Sequence, residues 1–142
     1  MIQLESALEL AMKRRASDVH FSVGRPIMIR VDGTLLQLND EVLKPQDIKE
    51  AFTPILTDSQ RERVETVGQV DFAYSLKGVG RFRLNVFRQR GTYAASLRLL
   101  PFQIPAPQDL GIPEAVISMT AKKRGLVLVT GPTPLREYAK ST

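Results

Sequence analysis

Six stretches of the chain alternate apolar and polar residues with a period of two, the pattern of β-strands that bury one face. In the first of them, Val19, Phe21 and Val23 would share one side, and Asp18 and His20 the other. The six predicted strands are 18–23, 27–31, 34–38, 70–76, 81–86 and 92–99.

Three other stretches have helical character. Apolar residues recur at mostly helical spacing over 2–15, and Pro at the start of 45–52 suits the first turn of a helix. The stretch 57–67 begins with Thr57 and Gln60 at the spacing of a capping box. Each of the three is therefore predicted to be a helix.

Turn residues join the predicted strands into hairpins, with Asp32-Gly33 as the strongest of these signals. Further turns are predicted at 24–26, 77–80 and Gly91. Half-polar strands joined by hairpins indicate an antiparallel sheet with one covered face. The first 100 residues or so are therefore predicted to form one α+β domain.

The composition changes at Pro101, where three prolines and two glutamines indicate a semi-rigid linker over 101–111. A short helix is predicted to end near Lys122, followed by the unbroken apolar run 126–129, which has the composition of a buried strand. One such strand cannot cover both of its faces. Residues 112–142 are therefore predicted to open a second, α/β domain.

The apolar run leads into Gly131, as a strand leads into a phosphate-binding loop of the form G-x-x-x-x-G-K-[ST]. Counting from Gly131, the second glycine and the lysine of that loop should fall at Arg136 and Glu137. Pro134 stands where a backbone N–H would normally face phosphate, and proline has none. The sequence therefore matches the beginning of a nucleotide-binding loop but lacks the glycine and lysine that complete it.

The composition narrows the classes of function. The chain has no cysteine, which excludes a disulfide framework and thiolate chemistry. The N-terminus lacks the basic start of a signal peptide, and no apolar run approaches the roughly 18 residues of a membrane span. The net charge of +5 permits acidic partners, although solvated surface charge explains so small an excess.

Three groups of segments, in this order along the chain, resemble the secretion-type hexameric ATPases, and within them the PilT-like type IV pilus retraction motors of twitching motility. The segments are ASDVHF at 16–21 with GRP at 24–26 and RVDG at 30–33; GRFRLNVFRQRG at 80–91 with SLRLLP at 96–101; and LGIP at 110–113 with RGLVLVTGPT at 124–133.

The resemblance implies that 1–100 form a PAS-like N-terminal domain and that 112–142 are the truncated start of a RecA-like ATPase core, with 101–111 as the linker. It further implies a hexameric ring, ATP and Mg²⁺ as cofactors, a pilus platform protein in the inner membrane as partner, and a cytoplasmic location at that membrane. The family pattern continues GPTGSGKST. In this chain Pro134–Ala139 replace the middle residues, so the chain is expected not to hydrolyse ATP by itself.

The candidate site residues are arginines of the predicted fifth and sixth strands. Arg81 and Arg83 would share one face of a strand, and Arg98 would lie on the polar face of the next. Guanidinium groups suit phosphate oxygens, but the residues alone favour an ordinary solvated sheet face. By the resemblance, Arg83 and Arg98 match arginines that reach the γ-phosphate of ATP. Arg81 is a weaker candidate, because only its place on the same strand face as Arg83 supports it.

The remnant of the phosphate loop adds Gly131, Pro132 and Thr133 as candidate nucleotide contacts. Asp18 and His20 could be read as an acid–base pair, but a structural pair is favoured because no nucleophile or second carboxylate accompanies them. A lone histidine is equally poor support for a metal site, and none is predicted.

Two other classes of function remain open from the residues. One is a basic module that binds nucleic acid or another polyanion, although no exposed aromatic residues accompany the basic clusters at 13–15 and 122–124. The other is a PAS-like sensor, which would need a closed apolar pocket in the sheet domain. The resemblance to a motor ATPase is preferred over both, and nucleic acid is not an expected partner.

Overall fold

The computed structural model describes residues 3–100 and 104–131. The chain divides into two compact units at the bond between residues 102 and 103, and each unit is described here by itself. In chain order the elements are α1 (Leu4–Lys13), β1 (Asp18–Phe21), β2 (Met28–Val31), β3 (Thr34–Gln37), α2 (Pro45–Phe52), a 3₁₀ turn (Thr53–Ile55), α3 (Asp58–Thr66), β4 (Gln69–Leu76), β5 (Gly80–Gln89), β6 (Thr92–Leu100) and α4 (Glu114–Met119).

The first unit is an antiparallel sheet of six strands in the order β3-β2-β1-β6-β5-β4. Two three-stranded meanders, β1–β3 and β4–β6, join edge to edge where β1 pairs with β6. All the predicted strands and the three predicted helices of this region are present, and the α+β prediction is confirmed.

Two of the hairpins turn through two residues in the left-handed backbone region. Asp32 and Gly33 have φ of 49° and 79°, and Arg90 and Gly91 have φ of 53° and 77°. Two successive residues with positive φ make a type I′ turn, whose twist matches that of the flanking strands. Asp tolerates this conformation, whereas an arginine there is uncommon.

The helices cover one face of the sheet and form the core with it. Phe52 of α2 meets Phe21 of β1 edge to face, with ring centroids 5.0 Å apart. At α3 the predicted capping box is present: Gln60 N donates to Thr57 Oγ1 at 3.2 Å, and Thr57 N donates to Gln60 Oε1 at 2.9 Å. The largest fully buried side chains are Phe21, Phe52, Phe82, Leu8, Ile27, Ile29, Leu43, Ile48, Leu84, Leu97, Val19 and Val64.

A polar contact ties α3 to the hairpin of β5 and β6. Glu65 accepts a hydrogen bond from the phenol of Tyr93 and lies 3.2 Å from Nη1 of Arg88. The hydrogen bond to Glu65, together with burial, raises the pKa of Tyr93 above its ordinary 10.0. The neutral phenol is thereby favoured in the folded protein.

The second unit contains α4 and, after it, the apolar run 126–129. The structure describes no strand there, and the side chains are exposed, by 82% at Leu126 and 75% at Leu128. The prediction of a buried strand is therefore wrong for the described residues. A strand needs neighbours for its backbone groups, and every described strand belongs to the sheet of the first unit.

No helix among the described residues is long and apolar enough to cross a membrane.

The turn at Arg90 offers a test of the backbone argument. We expect Arg90→Asn to raise the free energy of unfolding by about 0.5–1 kcal/mol, because asparagine tolerates the left-handed conformation better than arginine. Urea unfolding followed by circular dichroism measures the change. Arg90→Ala is the control, because alanine keeps the same backbone penalty and should give no such gain. Equal stabilisation by both variants would contradict the explanation.

Candidate functional site

The face of the sheet opposite the helices is polar. On β5 the exposed Arg81 and Arg83 alternate with the buried Phe82 and Leu84, and on β6 the exposed Arg98 follows the buried Leu97. The same alternation that fills the core therefore places these arginines on the outward face.

Strand register brings four charged residues into one row across this face. Asp18 is opposite Arg30 on one side and Arg98 on the other, and Arg98 is in turn opposite Arg83. The row crosses β2, β1, β6 and β5, which are spaced about 4.8 Å apart. We call Arg30, Asp18, Arg98 and Arg83 the charged row; it carries three positive charges and one negative.

Asp18 is the counter-charge within the row. Its Oδ1 accepts a hydrogen bond from Nε of Arg98 at 3.4 Å, and its Oδ2 lies 4.0 Å from Nε of Arg30. Ser17 donates its hydroxyl to Oδ2 at 2.8 Å. The Asp18 side chain is only 16% exposed, against 60% for Arg98. The carboxylate thus holds Arg98 and Arg30 towards the centre of the row.

Arg83 has a different environment. It lies directly opposite Arg98, and no ion pair is found for it among the described residues. Like charges opposite each other on a sheet repel, and an anion placed over both guanidinium groups would relieve that repulsion. Arginine binds phosphate oxygens through two parallel N–H groups. This end of the charged row is therefore suited to a phosphate group.

The structure places the other candidate residues, Arg81 and His20, outside the charged row. Arg81 shares the outward face with Arg83 but lies opposite Leu100 and Ser75, outside the charged row. His20 lies opposite Met28 and Ser96, while Asp18 contacts arginines and Ser17. Asp18 is therefore a structural ion-pair partner, and no acid–base role follows from its surroundings.

Sequence reasoning missed Arg30 as a member of the site. Its alternating position on β2 placed it on the polar face, but only the pairing of β2 with β1 shows that it meets Asp18. Of the loop remnant, Gly131 is the last described residue, and the predictions for Pro132 and Thr133 lie outside the described residues. Among the described residues, no cluster of three or more His, Cys, Asp or Glu could hold a metal ion.

Comparison with known proteins assigns the chain to a class, the secretion-type ATPases, and its α+β sheet unit matches the N-terminal domain of that class. The chain is 36% identical, over 93% of its length, to the type IV pilus retraction ATPase PilT of Pseudomonas aeruginosa. It is 30% identical, again over 93% of its length, to the type IV pilus ATPase PilU of the same organism. It spans 38% of the former relative and 35% of the latter. No protein-family model matches the chain.

Solved structures agree with this assignment. A crystal structure of the pilus retraction motor PilT with bound ADP matches 99% of this chain and 42% of that one, with a TM-score of 0.83 and 39% identity. The ATPase DotB of Legionella pneumophila shares the fold, with a TM-score of 0.62 over 92% of this chain and 37% of that one. The chain belongs with the PilT-like secretion ATPases and corresponds to their N-terminal portion.

The ion pair at the centre of the charged row can be measured. We expect Asp18→Asn and Arg98→Gln to show a coupling of about 0.5 kcal/mol in a double-mutant cycle, because the pair is partly exposed and screened by solvent. The measurement is the free energy of unfolding in urea at low salt. Arg83→Gln is the matched control: it should show no such coupling with Asp18→Asn and should not destabilise the fold. A coupling near zero for the first pair would contradict the role given to Asp18.

Proposed function

We propose that this chain is the N-terminal portion of a type IV pilus retraction motor, and that its outward sheet face closes over ATP bound to the following ATPase core. The observation that carries the proposal is the placement of Arg83 beside Arg98 on an open polar face. The similarity to PilT over nearly the whole chain supports it.

In this proposal Arg83 and Arg98 contribute charge stabilisation to phosphoryl transfer. In ATP hydrolysis the γ-phosphoryl group is transferred to water and ADP leaves. Arginines stabilise the charge of this transition state, and in many nucleotide hydrolases such an arginine is supplied from a neighbouring element. Asp18 and Ser17 orient Arg98, while Arg83 is held by its place on β5 alone. Magnesium and the groups that bind the α- and β-phosphates would come from the ATPase core.

The assembly expected of such a motor is a ring of several copies. We infer a hexameric ring at the cytoplasmic side of the inner membrane, in contact with the platform protein of the pilus. The arginines sit on a domain separate from the core, so movement of that domain would couple the state of the nucleotide to the position of the ring.

The alternatives have less support. A PAS-like sensor would need a closed apolar pocket, whereas the cleft between α1 and α2 is an open groove lined in part by Glu5, Asp47 and Glu50. Binding of nucleic acid would use a continuous basic surface, whereas Asp18 interrupts the charged row.

The chain of 142 residues is expected to show no Mg²⁺-dependent hydrolysis of ATP. Glu137 stands where the loop lysine should face the β- and γ-phosphates, and Pro134 removes a backbone donor. Phosphate release by the purified chain is compared with a buffer control. Turnover above that control would contradict the prediction.

The roles of Arg83 and Arg98 need a complete motor. We would join residues 1–131 of this chain to the remainder of P. aeruginosa PilT and measure ATP turnover of the chimaera. Arg83→Ala and Arg98→Ala should each lower kcat by roughly 10² or more, because each removes a cation from the transition state.

Arg90→Ala in the same chimaera is the matched control, because Arg90 lies in the β5–β6 turn and outside the charged row. It should leave kcat close to that of the parent. If all three variants turn over ATP like the parent, Arg83 and Arg98 belong to an ordinary solvated face and the proposed contact with phosphate is wrong.

A further inference from the structure

Two arginines of the charged row share one carboxylate. Oδ1 of Asp18 accepts a hydrogen bond from Nε of Arg98 at 3.4 Å, and Oδ2 lies 4.0 Å from Nε of Arg30. The Asp18 side chain is only 16% exposed, so water screens its charge poorly. How that negative charge is divided between the two arginines therefore affects the positive charge that Arg98 presents to a ligand.

Arg30 is held on β2 by a second contact. Its Nη1 donates to the backbone oxygen of Gly33 at 3.0 Å, in the turn between β2 and β3. The guanidinium group of Arg30 thus has one contact with the turn and one with Asp18. Its side chain is also less exposed than that of Arg98, by 42% against 60%. Of the two arginines, Arg30 is the one fixed beside Asp18.

The spacing of the strands separates the two arginines in the same way. Arg98 and Arg83 lie opposite each other on neighbouring strands, about 4.8 Å apart, so both can approach one phosphate group. Arg30 is two strand spacings from Arg98 and three from Arg83, which is about 10 Å and about 14 Å. Its neighbour in the row is Asp18.

We propose that Arg30 is a positioning residue that acts through Asp18: it offsets the charge of this carboxylate, so that Arg98 presents its own charge to phosphate. Without Arg30, the carboxylate would turn both oxygens to Arg98 and form the bidentate pair that arginine and carboxylate favour. The charge of Arg98 would then be neutralised before a nucleotide arrives. The consequence for catalysis rests on the proposed contact of Arg98 with the γ-phosphate, whereas the sharing of Asp18 does not.

The first experiment needs no nucleotide and uses the chain of 142 residues. The coupling between Asp18→Asn and Arg98→Gln is measured from urea unfolding at low salt, once in the parent and once in an Arg30→Gln background. We expect the coupling to rise about twofold without Arg30, because both carboxylate oxygens then serve Arg98. Circular dichroism establishes that each variant is folded.

Arg81→Gln is the matched background for this cycle. It removes the same charge from the same sheet face, but Arg81 lies outside the charged row, opposite Leu100 and Ser75. The coupling should keep its parent value there. A coupling that stays the same or falls in the Arg30→Gln background would overturn the proposal, as would an equal rise in both backgrounds.

The second experiment measures ATP turnover of the chimaera described above. Arg30→Gln should lower kcat roughly threefold to fivefold, the effect expected from the loss of one partly exposed ion pair. Adding Asp18→Asn should restore kcat to within about twofold of the parent, because asparagine removes the charge and keeps an oxygen for Nε of Arg98. A merely structural role predicts the opposite, since the double variant has lost both ion pairs of the row.

Asp71→Asn in the Arg30→Gln protein is the matched control. It also removes one negative charge from the outward face, but Asp71 lies on β4 opposite Asn85, outside the charged row. It should not restore kcat. Restoration by Asp71→Asn as complete as that by Asp18→Asn would show an effect of net charge alone and would overturn the role given to Arg30.

The phosphate contact and the role of Arg30 can fail separately. If Arg83→Ala and Arg98→Ala turn over ATP like the parent, the phosphate contact is wrong, and the coupling cycle by itself decides whether Arg30 offsets Asp18. If those two variants are impaired but Arg30→Gln is not, the phosphate contact stands and the role of Arg30 is overturned. The same holds if Asp18→Asn lowers kcat further in the Arg30→Gln protein.

Discussion

The pairing of β1 with β6 is the contact on which the rest of the domain depends. It joins two meanders that are each complete in themselves, and it places Val19 and Phe21 beside Leu97 and Ala95 in one core. Just beyond β1 the ladder continues, with Leu99 N donating to Ser17 O at 3.0 Å and Ser17 N donating to Arg30 O at 2.8 Å. Residues some 80 positions apart along the chain thereby become neighbours.

The same pairing creates the chemistry of the outward face. Asp18 and Arg98 belong to different meanders, and they form an ion pair because β1 and β6 are in register. The carboxylate engages Arg98 and Arg30, whereas Arg83, the cross-strand neighbour of Arg98, has no ion pair among the described residues. A fold held by backbone pairing thus yields an arrangement in which positive charge is concentrated at one side of a row.

The uncovered face of the sheet and its unpaired edge strands both follow from the packing of one layer of helices on one sheet. Helices α1 to α3 supply apolar cover for a single face, so the other face must be polar and is available for a ligand or a neighbouring domain. The sheet ends in the edge strands β3 and β4, and each of these has backbone groups on its outer side that no further strand of the sheet pairs with. Arg14 covers part of one edge, and the described residues place no equivalent side chain on the other.

Much of the local structure could be predicted because it depends on neighbouring residues. The period of two over 81–86 and 92–99 follows from burial of one strand face, and Asp32-Gly33 specifies its turn through backbone conformation. The apolar run 126–129 was predicted as a strand and is instead exposed, because an apolar composition cannot supply the pairing partners that a strand requires.

The sequence by itself therefore determined the helices and strands of the first unit, their buried faces, the α+β class and the outward direction of Arg81, Arg83 and Arg98. The tertiary structure alone decided the order of the strands and their register, because pairing between distant segments leaves no periodic trace in either of them. It was register that aligned Arg30, Asp18, Arg98 and Arg83, and strand order that left β4 at an edge.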